Sequence, residues 1–303
     1  MEYTGLVRKY AVNRPLTSSE RDRQLRQKQK HEAGLAYQLS VIRISSTFLE
    51  LVDKYYAWKG VLTSVVLAAF VILLGMVGAM TAFAAITPGR LETDWSFLLS
   101  MYGLVAAPLA FGVWLLKKEA FAYTHYPLRF NRKTRKVHVF RFDGTALTVP
   151  WDKIFFCLAP VPQRLWEIQG HVLADDRQTV VHTFALPAVA GGTKADRQVL
   201  LGYWEFVRRY MEDGPNEAYA LVKVCLPIAS EREPVMFGFH RMHAEAGRNA
   251  VLGMLMGLIA VALLPGRWIA MRTSKLPMWP PHVEETCRIE PGDAYVRDAS
   301  TNS

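Results

Sequence analysis

A chain of 303 residues with 51% hydrophobic and 21% charged residues is too apolar to stay disordered and long enough to bury at least one sizeable core. Its three cysteines, Cys157, Cys225 and Cys287, are too few and too scattered for a disulfide scaffold. The formal net charge is +9, which directs attention to anionic partners, either nucleic acid or lipid headgroups.

Residues 1–60 make a basic arm, with eleven Lys and Arg against six Asp and Glu. Ser18 to Tyr37 is polar and predicts a helix, and Leu35, Leu39, Ile42, Leu49 and Val52 give an intermittent apolar face. Such a segment either lies on the inner leaflet, caps the domain that follows, or runs solvated into the membrane. Val61 to Ile86 and Trp95 to Leu116 then contain no Asp, Glu, Lys, Arg or His. A spanning helix needs about 20 mostly apolar residues to cross a hydrocarbon core of about 30 Å, so the two runs predict a transmembrane hairpin over 61–116. Tyr55, Tyr56, Trp58 and Lys59 before it, with Trp114, Lys117 and Lys118 at its end, are residues that interfaces favour. From Lys117 to Gly144 eight basic residues stand against two acidic ones, while the link Thr87 to Asp94 holds only Arg90 against Glu92 and Asp94. Positive-inside bias therefore places the arm and the segment after Leu116 in the cytoplasm.

Residues 117–215 read as a cytoplasmic domain. Tyr126 to Phe130, Lys136 to Phe142, Thr145 to Trp151, Ile154 to Leu158, Leu165 to Leu173 and Gln178 to Phe184 predict six strands, with tight turns at Asp143-Gly144 and at Ala174 to Arg177. From Lys194 to Met211 the period changes. Val199, Tyr203, Phe206, Val207 and Tyr210 recur at helical spacing and Gly214-Pro215 ends the helix. Strands followed by one helix predict an α+β unit, an antiparallel β-roll covered by its C-terminal helix. A connector, 216–248, leads to a third apolar run over 249–272, which either spans or dips into the bilayer, with Pro265-Gly266 expected to break its helix. Gly253 and Gly257 in that run form a small-residue pair suited to helix packing, through which a homo-oligomer could form. The tail, 273–303, is rich in proline, with one short helix over His282 to Ile289 and a frayed end from Glu290.

No nucleophile, base or metal-ligand constellation stands out. His240 and His243 with Cys225 lack a fourth ligand for zinc. Ala190-Gly191-Gly192-Thr193-Lys194 lacks the spacing of a phosphate loop and reads as a strand-to-helix linker. Asp175-Asp176 reads as a turn, although convergence with His171 and His182 would make a membrane-bound enzyme the competing hypothesis. No cofactor is called for. The basic residues Arg132, Lys133, Arg135 and Lys136, together with Trp279 in the tail, are the candidate contacts for anionic lipids or a protein partner, with nucleic acid disfavoured in a membrane-tethered segment.

The basic turn Arg132 to Lys136 before a strand pair, with Pro150 to Ile154 opening the next strand, resembles bacterial pleckstrin-homology-like domains. The layout as a whole, with the phrases Arg267 to Ser274, Met278-Trp279-Pro280 and Cys287 to Asp293, resembles an uncharacterised domain-of-unknown-function family of proteobacterial inner-membrane proteins. Genes of that family often lie beside type VI secretion spike and effector genes. The resemblance implies a non-enzymatic protein-recognition module, an immunity or accessory partner of a secreted effector. The alternatives are the enzyme above and a structural subunit of a membrane assembly.

Overall fold

The computed structural model describes residues 10–86, 95–161, 165–243 and 250–302. The chain divides into two compact units. The first draws on 10–56, 123–233 and 276–302, and the second on 57–122 and 234–275. In chain order the elements are β1 (Arg14–Pro15), α1 (Ser18–Asp22), β2 (Gln24–Leu25), β3 (Val41–Ile44), β4 (Phe48–Leu51), α2 (Val61–Ile86) and α3 (Trp95–Glu119). Then come β5 (Leu128–Asn131), β6 (Lys136–Phe140), β7 (Ala146–Pro150), β8 (Ile154–Val161), β9 (Leu165–Leu173) and β10 (Thr179–Ala190). The helices α4 (Lys194–Glu212), α5 (Asn216–Leu221), α6 (Val235–His243), α7 (Ala250–Thr273) and α8 (Pro281–Thr286) complete the chain. The result is an α+β protein in which, among the described residues, three helices are long and apolar enough to cross a membrane.

The first unit holds two five-stranded antiparallel sheets, ordered β3-β4-β5-β6-β7 and β1-β10-β9-β8-β2. A domain over 117–215 was expected; residues 123–215 of it lie in the middle of a unit that starts in the arm and ends in the tail, and residues 117–122 belong to the second unit. Ile42 and Leu49, expected to be part of an intermittent apolar face, lie in the hairpin β3–β4, which joins β5 in register from Phe48↔Asn131 to Leu51↔Leu128. Both faces of these strands are buried, so they carry no alternation that sequence could display. The expected helix over Ser18 to Tyr37 shrinks to the five residues of α1. The remaining backbone bonds to other elements: Asn13 and Leu16 to β10 and its preceding turn, β2 to β8, and Ala36 to Gly202 of α4.

The core joins the sheets to α4. Thr193 and Asp196 form a capping box at its start, and Gly214, at φ +111°, lies just beyond its end. Leu200, Tyr203, Trp204, Val207, Tyr210 and Met211 are buried, whereas Val199, read as the first core position, is exposed. Trp204 stacks on Trp151, ring centroids 5.8 Å apart, and leans on Phe156 at 4.9 Å. The tail is ordered rather than frayed: Arg297 exchanges backbone hydrogen bonds with Ile44, Asn302 bonds both polar groups of Cys225, and Asp293 accepts from the Ser46 amide.

In the second unit α2 packs on α3 and α7, and α6 on α7. The outward faces are apolar, with Val71, Leu104 and Leu258 each about 70% exposed or more, a surface that needs lipid or protein to cover it. Pro265 does not break α7, which runs through it to Thr273. The expected exposed link, Thr87 to Asp94, lies outside the described residues, as do Arg248 and Asn249.

Candidate functional site

Two of the four cations of the basic turn, Lys133 and Arg135, are paired with acids that lie outside it in the sequence. Arg135, at φ +52°, grips Asp152 with Nε and Nη2 at 2.7 and 2.6 Å and gives Nη2 to Glu212 at 2.7 Å. Glu212 also accepts from Trp151 Nε1 and pairs with Lys28, both at 2.6 Å. Lys133 pairs with Glu290, and Arg132 Nε donates to the Ser46 carbonyl at 3.1 Å. Lys136 is exposed. The turn closes this end of the unit more than it offers a free cationic patch. Trp279 is no surface contact either: it is 8% exposed, lies against Phe140 with centroids 5.5 Å apart, and donates Nε1 to Glu50 at 2.7 Å.

The other candidates separate in the same way. His171 pairs with Thr183 in the β9–β10 register and His182 with Val172, so the two imidazoles occupy alternate positions and project from opposite faces. Asp176 shapes its turn by accepting from the amides of Gln178 and Thr179, both at 2.9 Å. Among the described residues no group of three His, Cys, Asp or Glu side chains is placed to hold a metal ion.

The structure assembles one cluster that sequence reading missed. Residues 13–25 cross the three-stranded core of the second sheet, with β1 on one edge and β2 on the other. Beneath this strap, His171 Nδ1 faces Thr183 Oγ1 at 2.8 Å, and its Nε2 faces both Cys157 Sγ and Glu20 Oε1 at 3.4 Å. Arg14 clamps Glu20 with Nη2 at 2.6 Å and Nη1 at 2.9 Å. Burial pushes the Cys157 thiol up to about 12. Burial also drives His171 down to about 4, Glu20 opposing it and Arg14 adding to it. The Glu20 carboxyl falls to about 2 because the Arg14 and Thr17 hydrogen bonds outweigh burial. A neutral thiol beside a neutral imidazole, both fully buried, is no activated nucleophile; the cluster fastens the arm to the sheet. The signal for it was Thr17-x-x-Glu20, the capping box that opens α1.

A second missed cluster sits at one end of the helical unit. Glu119, the last residue of α3, accepts from the amides of Gly60 and Thr63 at 2.9 and 2.7 Å and from the Thr63 hydroxyl at 2.6 Å. It thus caps the N-terminus of α2 from another helix, where the helix dipole favours an anion. Arg267 Nη1 donates to the carbonyls of Ala57 and Lys59 at 3.0 and 3.1 Å, and Ser274 Oγ to that of Ala120 at 3.1 Å. Gly253 and Gly257 lie half-buried on α7, but the tight approach of backbones is at Gly266, where an added Cβ would stand 2.6 Å from the Ser64 amide nitrogen.

No curated protein and no solved structure matches the chain. A family model does, over residues 105–291, which takes in α3, both sheets from β5 onward, α4 and α7. On that match the chain belongs to DUF6708, a family of unknown function.

Proposed function

We propose that this chain is a non-enzymatic recognition module of the bacterial inner membrane, the sheet-bearing unit acting as a cytoplasmic binding body and the helical unit as its anchor. The observation that carries this reading is where the anchor is spliced: α2 and α3 interrupt the first unit between β4 and β5, two hydrogen-bonded neighbours in one sheet. A tether at a chain end lets a domain swing, whereas a tether entering through two adjacent strands about 5 Å apart restrains it at both. We read the body as pleckstrin-homology-like; two antiparallel sheets followed by α4 over the core support that reading. The partner is a protein, and in the genetic setting that the sequence resemblance implies it is a type VI effector neutralised by binding.

One consequence concerns topology. Residues 10–56, 123–233 and 276–302 build one folded unit, so they share one side of the bilayer. The stretch from 233 to 276 must then leave and return on that side, which makes α6 and α7 a re-entrant pair rather than a lone crossing. Reporters fused after Gly214 and Ser303 are expected to give cytoplasmic signals and one after Asp94 a periplasmic signal; a periplasmic Ser303 overturns this arrangement. For the immunity role, loss of the chain is expected to be toxic in cells that carry the neighbouring effector gene and harmless in cells that lack it. Toxicity that persists without the effector sinks that role.

A further inference from the structure

The candidate lipid contacts read from sequence, Arg132 to Lys136, make the turn between β5 and β6. The register of β5 and β6 runs from Leu128↔Val139 to Asn131↔Lys136. The turn over 132–135 is therefore the end far from Tyr123, where the chain rejoins the first unit, and residues 141–145 return to the near end, about 14 Å away along the strands. Three contacts hold the β6–β7 turn there. The Tyr123 ring meets Phe140 edge-on at 5.1 Å, Phe140 donates its amide to the Pro127 carbonyl at 3.1 Å, and the Tyr123 hydroxyl is 2.7 Å from where a Gly144 Cβ would stand.

Tyr123 comes four residues after Glu119, the end of α3. Four residues reach at most about 14 Å, so Tyr123, which packs at this turn, follows within that length of chain the end of an apolar helix of spanning length. The tail supplies a second marker. Trp279 packs on Phe140 at this same end, and Met278 beside it is 81% exposed, five residues after the end of α7. On the turn itself Phe142 is half exposed next to Arg141. An aromatic ring and a thioether thus protrude at one end of the sheet beside a partly buried guanidinium, and all three are side chains suited to the boundary between acyl chains and headgroups.

We infer that the lipid-contacting edge of the sheet-bearing unit is the β6–β7 turn with the start of the tail, Phe142 and Met278 entering the interfacial layer of the bilayer and Arg141 meeting lipid phosphate. The inference rests on the membrane reading above, and it moves the contact from the predicted basic turn to the opposite end of the hairpin. Cys157, Cys225 and Cys287 are all buried, so a cysteine introduced at an exposed position takes up a spin label selectively. The full chain would be labelled in separate Phe142→Cys, Met278→Cys, Lys136→Cys and Leu104→Cys variants, in nanodiscs of phosphatidylcholine and phosphatidylglycerol. Collision with oxygen, which concentrates in lipid, is compared with collision with a water-soluble nickel chelate. The oxygen-to-nickel ratio is expected to be several-fold higher at 142 and 278 than at 136, and highest at 104. Labels at 142 and 278 as open to nickel as that at 136, with 104 still in lipid, overturn the inference alone; nickel access at 104 as well removes the membrane reading and the inference with it.

Discussion

Gly266→Val is expected to leave little folded full-length protein in the membrane fraction, with whatever survives melting far below the wild type. A Cβ at 266 would stand 2.0 Å from Ser64 Oγ, 2.6 Å from the Ser64 amide nitrogen and 2.7 Å from its Cα. A hydroxyl can rotate away, but a helix backbone cannot, so α2 and α7 have to separate. Just beyond this point Gly60, at φ +96°, presents its open side to the backbone of Arg267, where a Cβ would meet Cα at 2.3 Å. Separation there also pulls Arg267 away from the carbonyls of Ala57 and Lys59, and Ser64 Oγ from that of Leu263 at 3.1 Å. Overpacking costs about 1–3 kcal/mol, and each buried polar group left unsatisfied costs a similar amount again. Since a whole protein is stable by only about 5–15 kcal/mol, the sum is a large share of the total. Gly257→Val, at the pair that sequence spacing singled out, is expected to be far milder. Thermal unfolding of the three proteins in one detergent compares them directly, and a Gly266→Val protein that melts with the wild type would mean that α2 and α7 do not meet as described.

The contrast between Gly266 and Gly257 shows what the sequence could and could not reveal. Composition marks a glycine in an apolar run as a packing residue, but which turn of the helix meets a neighbour depends on Ser64, 202 positions away in the chain. The apolar runs, the turns at Gly144 and Arg177 and the amphipathic face of α4 were legible because each is a local pattern. The β4–β5 pairing was not, since Leu51 and Leu128 face one another across the whole helical hairpin. Nor were the ion pairs of Lys133 and Arg135 in the basic turn, because Asp152, Glu212 and Glu290 arrive from three other places in the chain. Trp279 reads from sequence as a candidate contact in a proline-rich tail, yet lack of regular structure is not lack of packing. Its indole fills the face of β4 to β6 together with Phe48, Phe140 and Val283.

The pairing of β4 with β5 depends on a buried ion cluster, and Arg129→Met is expected to destabilise the full-length protein by about 3–5 kcal/mol. Glu50 of β4 and Arg129 of β5 stand directly opposite each other, Nε to Oε1 at 3.0 Å, both almost fully buried. Arg129 also reaches Glu284 with Nη2 at 2.9 Å and lies over the rings of Phe48 and Trp279, each 4.9 Å away. Glu50 receives Arg43 at 3.0 Å and the Trp279 indole at 2.7 Å. Burial pushes its carboxyl up, but Arg129, Arg43 and Trp279 together hold it below the usual carboxylate range. In the wild type this stabilisation is present above about pH 4.5, the unfolded value, and is lost as pH falls through the depressed folded value. Without Arg129, the largest of the groups opposing burial, Arg43 and the Trp279 indole remain but are expected not to offset the burial cost, so that the folded value rises above the unfolded one. The sign then reverses: the Arg129→Met protein recovers part of its deficit as pH falls from 7 toward 5, where Glu50 takes up a proton on folding. Adding Glu50→Gln removes the under-compensated charge, so the double variant is expected to be more stable than Arg129→Met alone at pH 7 and to lose that pH response. Melting the three proteins at pH 7 and pH 5 in nanodiscs tests both statements. If Arg129→Met shows a pH response no different from the wild type, Glu50 and Arg129 do not face one another in a dry interior, and the pairing of β4 with β5 must be drawn again.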